Sequence, residues 1–355
     1  MGKSSNKNFS AAGSPASIDN DGDLILRVGG AGSLKEPNNI VEFKVDSTTL
    51  RRASPVFKAL LFGPWLESTV KALASPAEPW TVSLPDDEPS PFTILMGLAH
   101  ANYKVISRPW DTITIYELLV LADKYDMMHL FSPFTASMKK TVNAYNIVTP
   151  NIEVLVVLYC SWALGDEKGF AKALRNVVLH SSLDNCGTTQ LVYSGTKLAE
   201  IYHLGPADLL DYIAEVRQSI LAEFADCINN DYKRRMVGSV CVVKDTSYAP
   251  KHICDDYILG GLHRSFTASA NIPYFPINPQ TIQHSCRGFY EAVLDLLQPM
   301  QILQGHLICF PKERFEAHVT GITIISNKRW EPGVLIKQEH RALMRKKRET
   351  FEAVV

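Results

Sequence analysis

The side chains best suited to chemistry are thiols and imidazoles in the last third of the chain. Cys241 and Cys254 are followed, much later, by His306-Leu307-Ile308-Cys309. Thiolate and imidazole are the ligands zinc prefers, so a His-x2-Cys knuckle with two distant cysteines could close a tetrahedral site of Cys3His type. Such a site would be structural and would tie together a stretch with little regular periodicity. There is no CxxC pair. His252, His263, His284 and Cys286 lie nearby and leave the choice of ligands open, and the apolar neighbours of Cys241 and Cys309 also suit ordinary buried thiols.

Other chemical readings find less support. Gly29-Gly30-Ala31-Gly32 follows a strand-like run, as a dinucleotide-binding loop would. Lys35 occupies the third glycine position, however, and the next element reads as a strand, so a hairpin loop fits better. Tyr193-Ser194-Gly195 lacks the preceding glycine of a nucleophile elbow. The carboxylate pairs Asp86-Asp87 and Asp255-Asp256 read as capping and solvated groups. Arg341, Arg345, Lys346, Lys347 and Arg348 form a basic run with Glu339 and Glu349 beside it, which reads as a solvated helix. A nuclear localisation signal is the alternative there. No aromatic residues interleave with these bases, so nucleic-acid binding by stacking is not expected.

The frame that must position these residues is 355 residues long, enough for two or three domains. Net charge is -1, so no bulk field drives the chain onto nucleic acid or an acidic membrane. An odd number of cysteines over a long chain does not suit a secreted disulfide framework. The first twenty residues lack the apolar core of a signal peptide, and no apolar run approaches the ~20 residues of a membrane span. The expectation is an intracellular protein, cytoplasmic or nuclear, with no membrane partner.

Periodicity supplies the elements. Residues 1–20 read as a flexible tail, and order is expected from Asp23. Leu24 to Val28 and Ile40 to Val45 read as a hairpin, and Thr81 to Leu84 as a third strand. Ser54-Pro55 and Ser90-Pro91 are helix starts, and Thr114 can cap a further helix through Ile115, Leu118, Leu119 and Ala122. Met127 to Val142 predicts one more. From Ile147 to Phe224 the pattern is helical throughout. Beyond Asp226 it is mixed, with Val237 to Val243, Gly305 to Phe310 and Val319 to Ile325 as candidate strands and a helix around Phe289 and Val293. Phe57, Leu60, Leu95, Leu98, Leu118, Leu119 and Leu121 are the expected core of the first domain.

Several of these segments together resemble the BTB/POZ domains of filamentous fungi. They are the Asp23-Leu24-Ile25-Leu26 strand, Ser54-Pro55-Val56-Phe57-Lys58-Ala59-Leu60 with Gly63-Pro64-Trp65-Leu66-Glu67, Leu84-Pro85-Asp86-Asp87-Glu88-Pro89, and Leu119-Val120-Leu121-Ala122-Asp123-Lys124-Tyr125-Asp126. Tyr159-Cys160-Ser161-Trp162-Ala163-Leu164-Gly165 is similar to the helical extension of those proteins, and Cys254 to Leu262 to a weaker C-terminal motif.

The resemblance implies an α+β fold: a BTB/POZ-like domain over 21–143, a helical extension over 144–226, and a mixed α/β C-terminal region over 227–335 with the zinc site, then a basic tail helix over 336–355. It also implies a non-enzymatic interaction module whose partner is another protein, a cullin scaffold or a second copy of the chain. A substrate adaptor of a cullin-type ubiquitin ligase and a transcriptional regulator are the alternatives. Cullin-binding members often carry a glutamate in the third helix where this chain has Gly97, a departure that counts against the adaptor; Gly97, His100 and Tyr103 are the candidate partner-binding residues.

Overall fold

The computed structural model describes residues 16–30, 40–70, 79–106, 109–147, 149–184, 190–238, 240–244, 247, 249–269, 272, 275–319 and 327–352. Two compact units divide the chain, one of residues 1–144 with 347–355 and one of residues 145–346. The fold class is α+β, with a four-stranded sheet in the first unit and a three-stranded sheet in the second.

In the first unit β1 (Ala16–Ser17), β2 (Leu24–Val28), β3 (Val41–Val45) and β4 (Thr81–Leu84) lie in the order β1-β3-β2-β4. β2 and β3 form the expected antiparallel pair, with Leu24 opposite Val45 and Leu26 opposite Phe43. β4 runs parallel to β2. Leu24, Leu26, Val28, Phe43, Val45 and Val82 are all buried. Alternation along each strand sends these side chains to the core. The expectation of a tail over 1–20 needs correction at its end: β1 pairs in parallel with β3, and Ile18 is buried. The short β1 carries no periodicity of its own, so only pairing with β3 reveals it.

Helices α1 (Ser47–Ala53), α2 (Pro55–Phe62), α3 (Leu66–Val70), α4 (Pro89–Ala99), α5 (Thr112–Lys124) and α6 (Thr135–Asn143) complete the unit. Ser54 caps α2 as its sequence predicts, its Oγ accepting from Phe57 N at 2.9 Å. The same hydroxyl donates to the Tyr125 carbonyl at 2.6 Å. Tyr125 in turn donates its phenol proton to Asp87, and its ring stacks on Phe57 at 4.5 Å. Phe92 meets the Tyr125 ring edge-on. Burial, then the charge of Asp87, raise the Tyr125 phenol far above its ordinary value, so it stays a donor.

Several local expectations change. α4 begins at Pro89, one residue before Ser90. Asp111, not Thr114, caps α5, accepting from Thr114 N at 2.7 Å. Met128–Phe134 is a 3-10 helix ahead of α6, because Pro133 cannot donate to a regular α-helical ladder. Six of the seven expected core residues are buried, but Leu60 is only half-buried and Leu61 takes its place, one turn along from Phe57 on the same helix face.

In the second unit α7 (Glu153–Ala163) packs on α8 (Glu167–His180) across a tight turn at Gly165, whose φ of +65° suits glycine. Residues 147–224 are not helical throughout: β5 (Ser182–Leu183), β6 (Leu191–Tyr193) and β7 (Thr196–Lys197) form a small antiparallel sheet. α9 (Leu209–Met236) is the spine, packed on α8, α10 (Lys251–Thr267), α11 (Cys286–Leu297) and α12 (Pro311–Val319). The buried Arg217 of α9 donates to the carbonyls of Ser181, Ile282, Gln283 and His284, pinning two non-helical segments to the helix. α13 (Pro332–Leu335) follows, then α14 (Gln338–Glu352), whose residues from Lys347 on are assigned to the first unit.

The expected mixed α/β C-terminal region is also corrected, since no strand occurs among the described residues after Lys197. Gly238 at φ +69° turns the chain after α9, and Val240 to Val243 find no strand to pair with. Gly305 at φ +80° and the bonds from Cys309 N to His306 O and Phe310 N to Leu307 O fold 305–310 into a 3-10 turn. Residues 320–325 of the last candidate strand, and Ala31 to Lys35 of the glycine loop, lie outside the described residues.

Leu61→Ala should therefore cost about 2–5 kcal/mol by opening a cavity, and Leu60→Ala clearly less, as measured by urea denaturation. Tyr125→Phe should cost about 1–3 kcal/mol, because the buried Asp87 loses a donor. A third test concerns pH. Hydrogen bonds from Lys337 and then His340 hold the Asp208 carboxyl down at about 2. Its folded value lies below the ordinary carboxylate value of about 4. The stabilisation is thus full above that value and is lost as pH falls from about 4 through the folded value. Asp208→Asn should flatten the fall of Tm across that window.

Candidate metal centre

Four side chains from three separate segments converge beside the C-terminal end of α9. Cys241 sits on the irregular segment after that helix, and Cys254 in the first turn of α10. His306 and Cys309 bracket the 3-10 helix Leu307–Cys309. In a 3-10 turn positions i and i+3 eclipse, so the His-x2-Cys spacing brings both side chains to one side. All four residues are buried, and their ligand atoms lie within 4.8 Å of one another. Cys241 Sγ is 3.4 Å from His306 Nδ1 and 3.7 Å from Cys309 Sγ. A buried Cys3His cluster of this kind could hold a metal ion.

The cluster selects among the nearby candidates that the sequence left open. His252 and His263 are exposed. His284 faces Arg217, and Cys286 donates to the Arg217 carbonyl at 3.7 Å, so neither joins the cluster. Burial, followed by the charges of Cys309 and Cys241, raises the Cys254 thiol well above its ordinary value. A cation at the centre reverses that logic, because a coordinating thiol gives up its proton. His306 turns Nδ1 towards sulfur, and its buried Nε2 has no hydrogen-bond partner among the described residues.

Around the cluster runs an ionic network that sequence reasoning missed. Arg235 is buried in the last turn of α9. Its guanidinium donates to Asp255 at 3.2 Å, to Asp231 at 2.7 Å and to the Cys309 carbonyl at 2.9 Å. Asp255 also accepts from the Cys241 backbone N–H at 3.3 Å. Arg314 of α12 completes the set, bonding Asp231 and the Val240 carbonyl. Two cationic and two anionic side chains thus fix the backbone on both sides of the ligands, as outer-shell groups do in metal sites.

One signal was visible in the sequence: Asp231 and Arg235 stand four apart on a helical stretch. The reading of Asp255-Asp256 as a solvated pair holds only for Asp256, since Asp255 is buried. The same split separates exposed Asp86 from buried Asp87. Each buried member is ion-paired, Asp255 with Arg235 and Asp87 with Lys124, and neither caps a helix.

The three residues expected to meet a partner separate. Gly97 is buried within α4, where an added Cβ would stand 2.6 Å from Val105 Cγ2 and 3.2 Å from the Asn102 carbonyl oxygen. No glutamate fits there, so the expected contact position is corrected to an interior packing position. His100 is half-buried and holds backbone on both ring nitrogens: Nδ1 lies 3.0 Å from the Met96 carbonyl, and Nε2 accepts from Asp46 N at 3.0 Å. Only Tyr103 is exposed.

No protein-family model matches the chain, and a search of curated proteins returns no match. Among the described residues no helix is long and apolar enough to cross a membrane.

Arg235→Met should destabilise the protein by about 3–5 kcal/mol, because it strands Asp255 as a buried unpaired charge. Arg287→Ala breaks an exposed pair with Glu291 and should cost no more than about 0.5 kcal/mol. Denaturation of both variants by urea measures the contrast.

Proposed function

We propose that the chain is a non-enzymatic protein-interaction module of BTB/POZ type, whose second unit is fastened by a structural zinc ion on Cys241, Cys254, His306 and Cys309. The observation that carries the first part is the meeting of three separate sequence segments at one tyrosine. Ser54, Phe57, Asp87 and Tyr125 come from the three helix-and-turn motifs behind the resemblance, and they form one hydrogen-bonded, stacked cluster. Such residues build a scaffold and leave its surfaces to do the binding.

The zinc reading rests on ligand type and spacing. Tetrahedral zinc with about 2.3 Å to sulfur and about 2.05 Å to nitrogen gives edges of about 3.8 Å between sulfurs and about 3.6 Å between sulfur and nitrogen. The separations of 3.7 and 3.4 Å are close to those edges. Four protein ligands fill the tetrahedron, whereas a catalytic zinc keeps a position for water or substrate. That favours a structural role.

The cullin-adaptor alternative has a buried Gly97 in place of the expected glutamate and is left with the exposed Tyr103. Affinity purification of the tagged protein, with mass spectrometry of what accompanies it, decides between the readings. A partner protein without a cullin supports the general module. A cullin whose recovery depends on Tyr103 supports the adaptor, and substrate turnover by the purified protein would overturn both.

For the metal, elemental analysis should find zinc at about one equivalent per chain. Cys254→Ala should abolish it, and chelation should lower the urea midpoint by a clear margin. Purified protein lacking stoichiometric metal would end the zinc reading.

A further inference from the structure

Two sulfurs of the Cys3His cluster are in contact. Cys241 Sγ and Cys309 Sγ lie 3.7 Å apart, on residues 68 positions apart in the chain. A disulfide joins its sulfurs at about 2.05 Å, so an approach of about 1.7 Å would bond them. Cys241 stands in the irregular stretch 240–244, where no helical ladder opposes that movement, and Cys309 closes a 3-10 turn. Cys254, by contrast, is in regular helix, which fixes its Cα. Access points the same way. Cys241 is 7% exposed, whereas Cys254, His306 and Cys309 are wholly buried, so a small oxidant from solvent reaches Cys241 first.

Reactivity separates these cysteines from others in the second unit. The thiolate is the form that attacks an oxidant. Burial, then the charge of Asp231, pushes the Cys227 thiol up to about 11, and burial pushes Cys286 up to about 12. Burial raises Cys160 further still. Those thiols stay protonated near neutral pH, while a sulfur that ligates a cation has already lost its proton. The surroundings also let a change at the sulfurs be undone. Arg235 holds Asp255, next to Cys254, and the Cys309 carbonyl, and Asp255 accepts from the Cys241 N–H. None of these bonds uses a sulfur, so all three cysteine-bearing segments keep an anchor when the sulfurs change partners.

We propose that Cys241 and Cys309 form a reversible disulfide when a hydroperoxide oxidises them, and that this bond expels the metal ion. The proposal rests on the zinc reading and names the regulation of that centre. With hydrogen peroxide, the Cys241 thiolate attacks the O–O bond, becomes a sulfenic acid and releases hydroxide. The Cys309 thiolate then attacks the sulfenic sulfur. The S–S bond forms, the S–O bond breaks and a second hydroxide leaves. Two protons from solvent turn both hydroxides into water. Each sulfur has lost one electron and each peroxide oxygen has gained one. Cys254 and His306 remain, half of the four ligands that a structural zinc site needs. A thiol reductant cleaves the disulfide by exchange and restores the set.

The test uses the full chain, purified with its zinc under reducing conditions and then freed of reductant without air. Hydrogen peroxide is added while a chromogenic chelator records zinc release, and non-reducing peptide mass spectrometry locates disulfides in the same samples. Release of about one equivalent of zinc should accompany one disulfide joining Cys241 to Cys309. Dithiothreitol with added zinc should restore the thiols, the bound zinc and the urea midpoint. Cys227→Ser removes a thiol outside the cluster and should leave the rate of release unchanged. Zinc retained at peroxide levels that oxidise glutathione in a parallel sample would overturn the proposal. So would a disulfide that uses Cys254 or joins two chains, release that leaves sulfinic acids and no disulfide, or release slowed by Cys227→Ser. Protein purified without zinc ends the zinc reading, and this proposal with it. Zinc-loaded protein that forms no disulfide ends this proposal alone.

Discussion

A guanidinium removed from water must find acceptors, and in the second unit that requirement organises the surroundings of the Cys3His cluster. Arg235 is buried to 1% exposure at the end of a 28-residue helix. Its hydrogen bonds reach back along α9 to Asp231, across to Asp255 on α10, and on to the carbonyl of Cys309. Three segments distant in sequence are thereby held around one charge. The cost of leaving any acceptor unfilled is several kcal/mol, far more than an exposed ion pair contributes, so the arrangement is strongly specified. Arg217 does comparable work two-thirds of a helix length earlier, with carbonyl oxygens as its acceptors.

The first unit is organised by a neutral donor instead. Tyr125 links the cap of α2, through its carbonyl, to the loop after β4, through its phenol. Its ring is enclosed by Phe57 and Phe92. A phenol that must stay protonated and a carboxylate that must stay paired make this region intolerant of change. A residue type suggestive of chemistry, such as Asp87, thus holds architecture together here.

The sequence was most legible where a local rule decides the outcome. Ser54-Pro55 starts a helix because cap and proline act within one turn, and the β2–β3 pair follows from alternation over five residues. It was least legible where a choice depends on what lies across the fold. Leu60 and Leu61 have the same chemistry, and only the rotation of α2 against its neighbours buries the second. β1 is two residues long and exists because β3 offers a free edge. Val240 to Val243 have the composition of a strand but pair with none among the described residues, and Cys241 within them joins the cluster. The four residues of the cluster were named from residue type, yet their selection over His252, His263, His284 and Cys286 depended on burial and on contacts with Arg217.

The 3-10 turn at Leu307–Cys309 shows what a metal would change in this region. A short turn of that kind has poor hydrogen-bond geometry, so its own bonds hold it weakly. Here two of its three side chains are exposed and apolar, and only Cys309 points inward. Hydrophobic burial therefore cannot be what holds the turn. Its fixed points are His306 before it and Cys309 at its end, with Arg235 on the Cys309 carbonyl. Cross-linking those points to Cys241 and Cys254 would close long loops at once and remove the freedom that an unclosed chain retains. A turn held in this way could leave Leu307 and Ile308 in water and still be ordered.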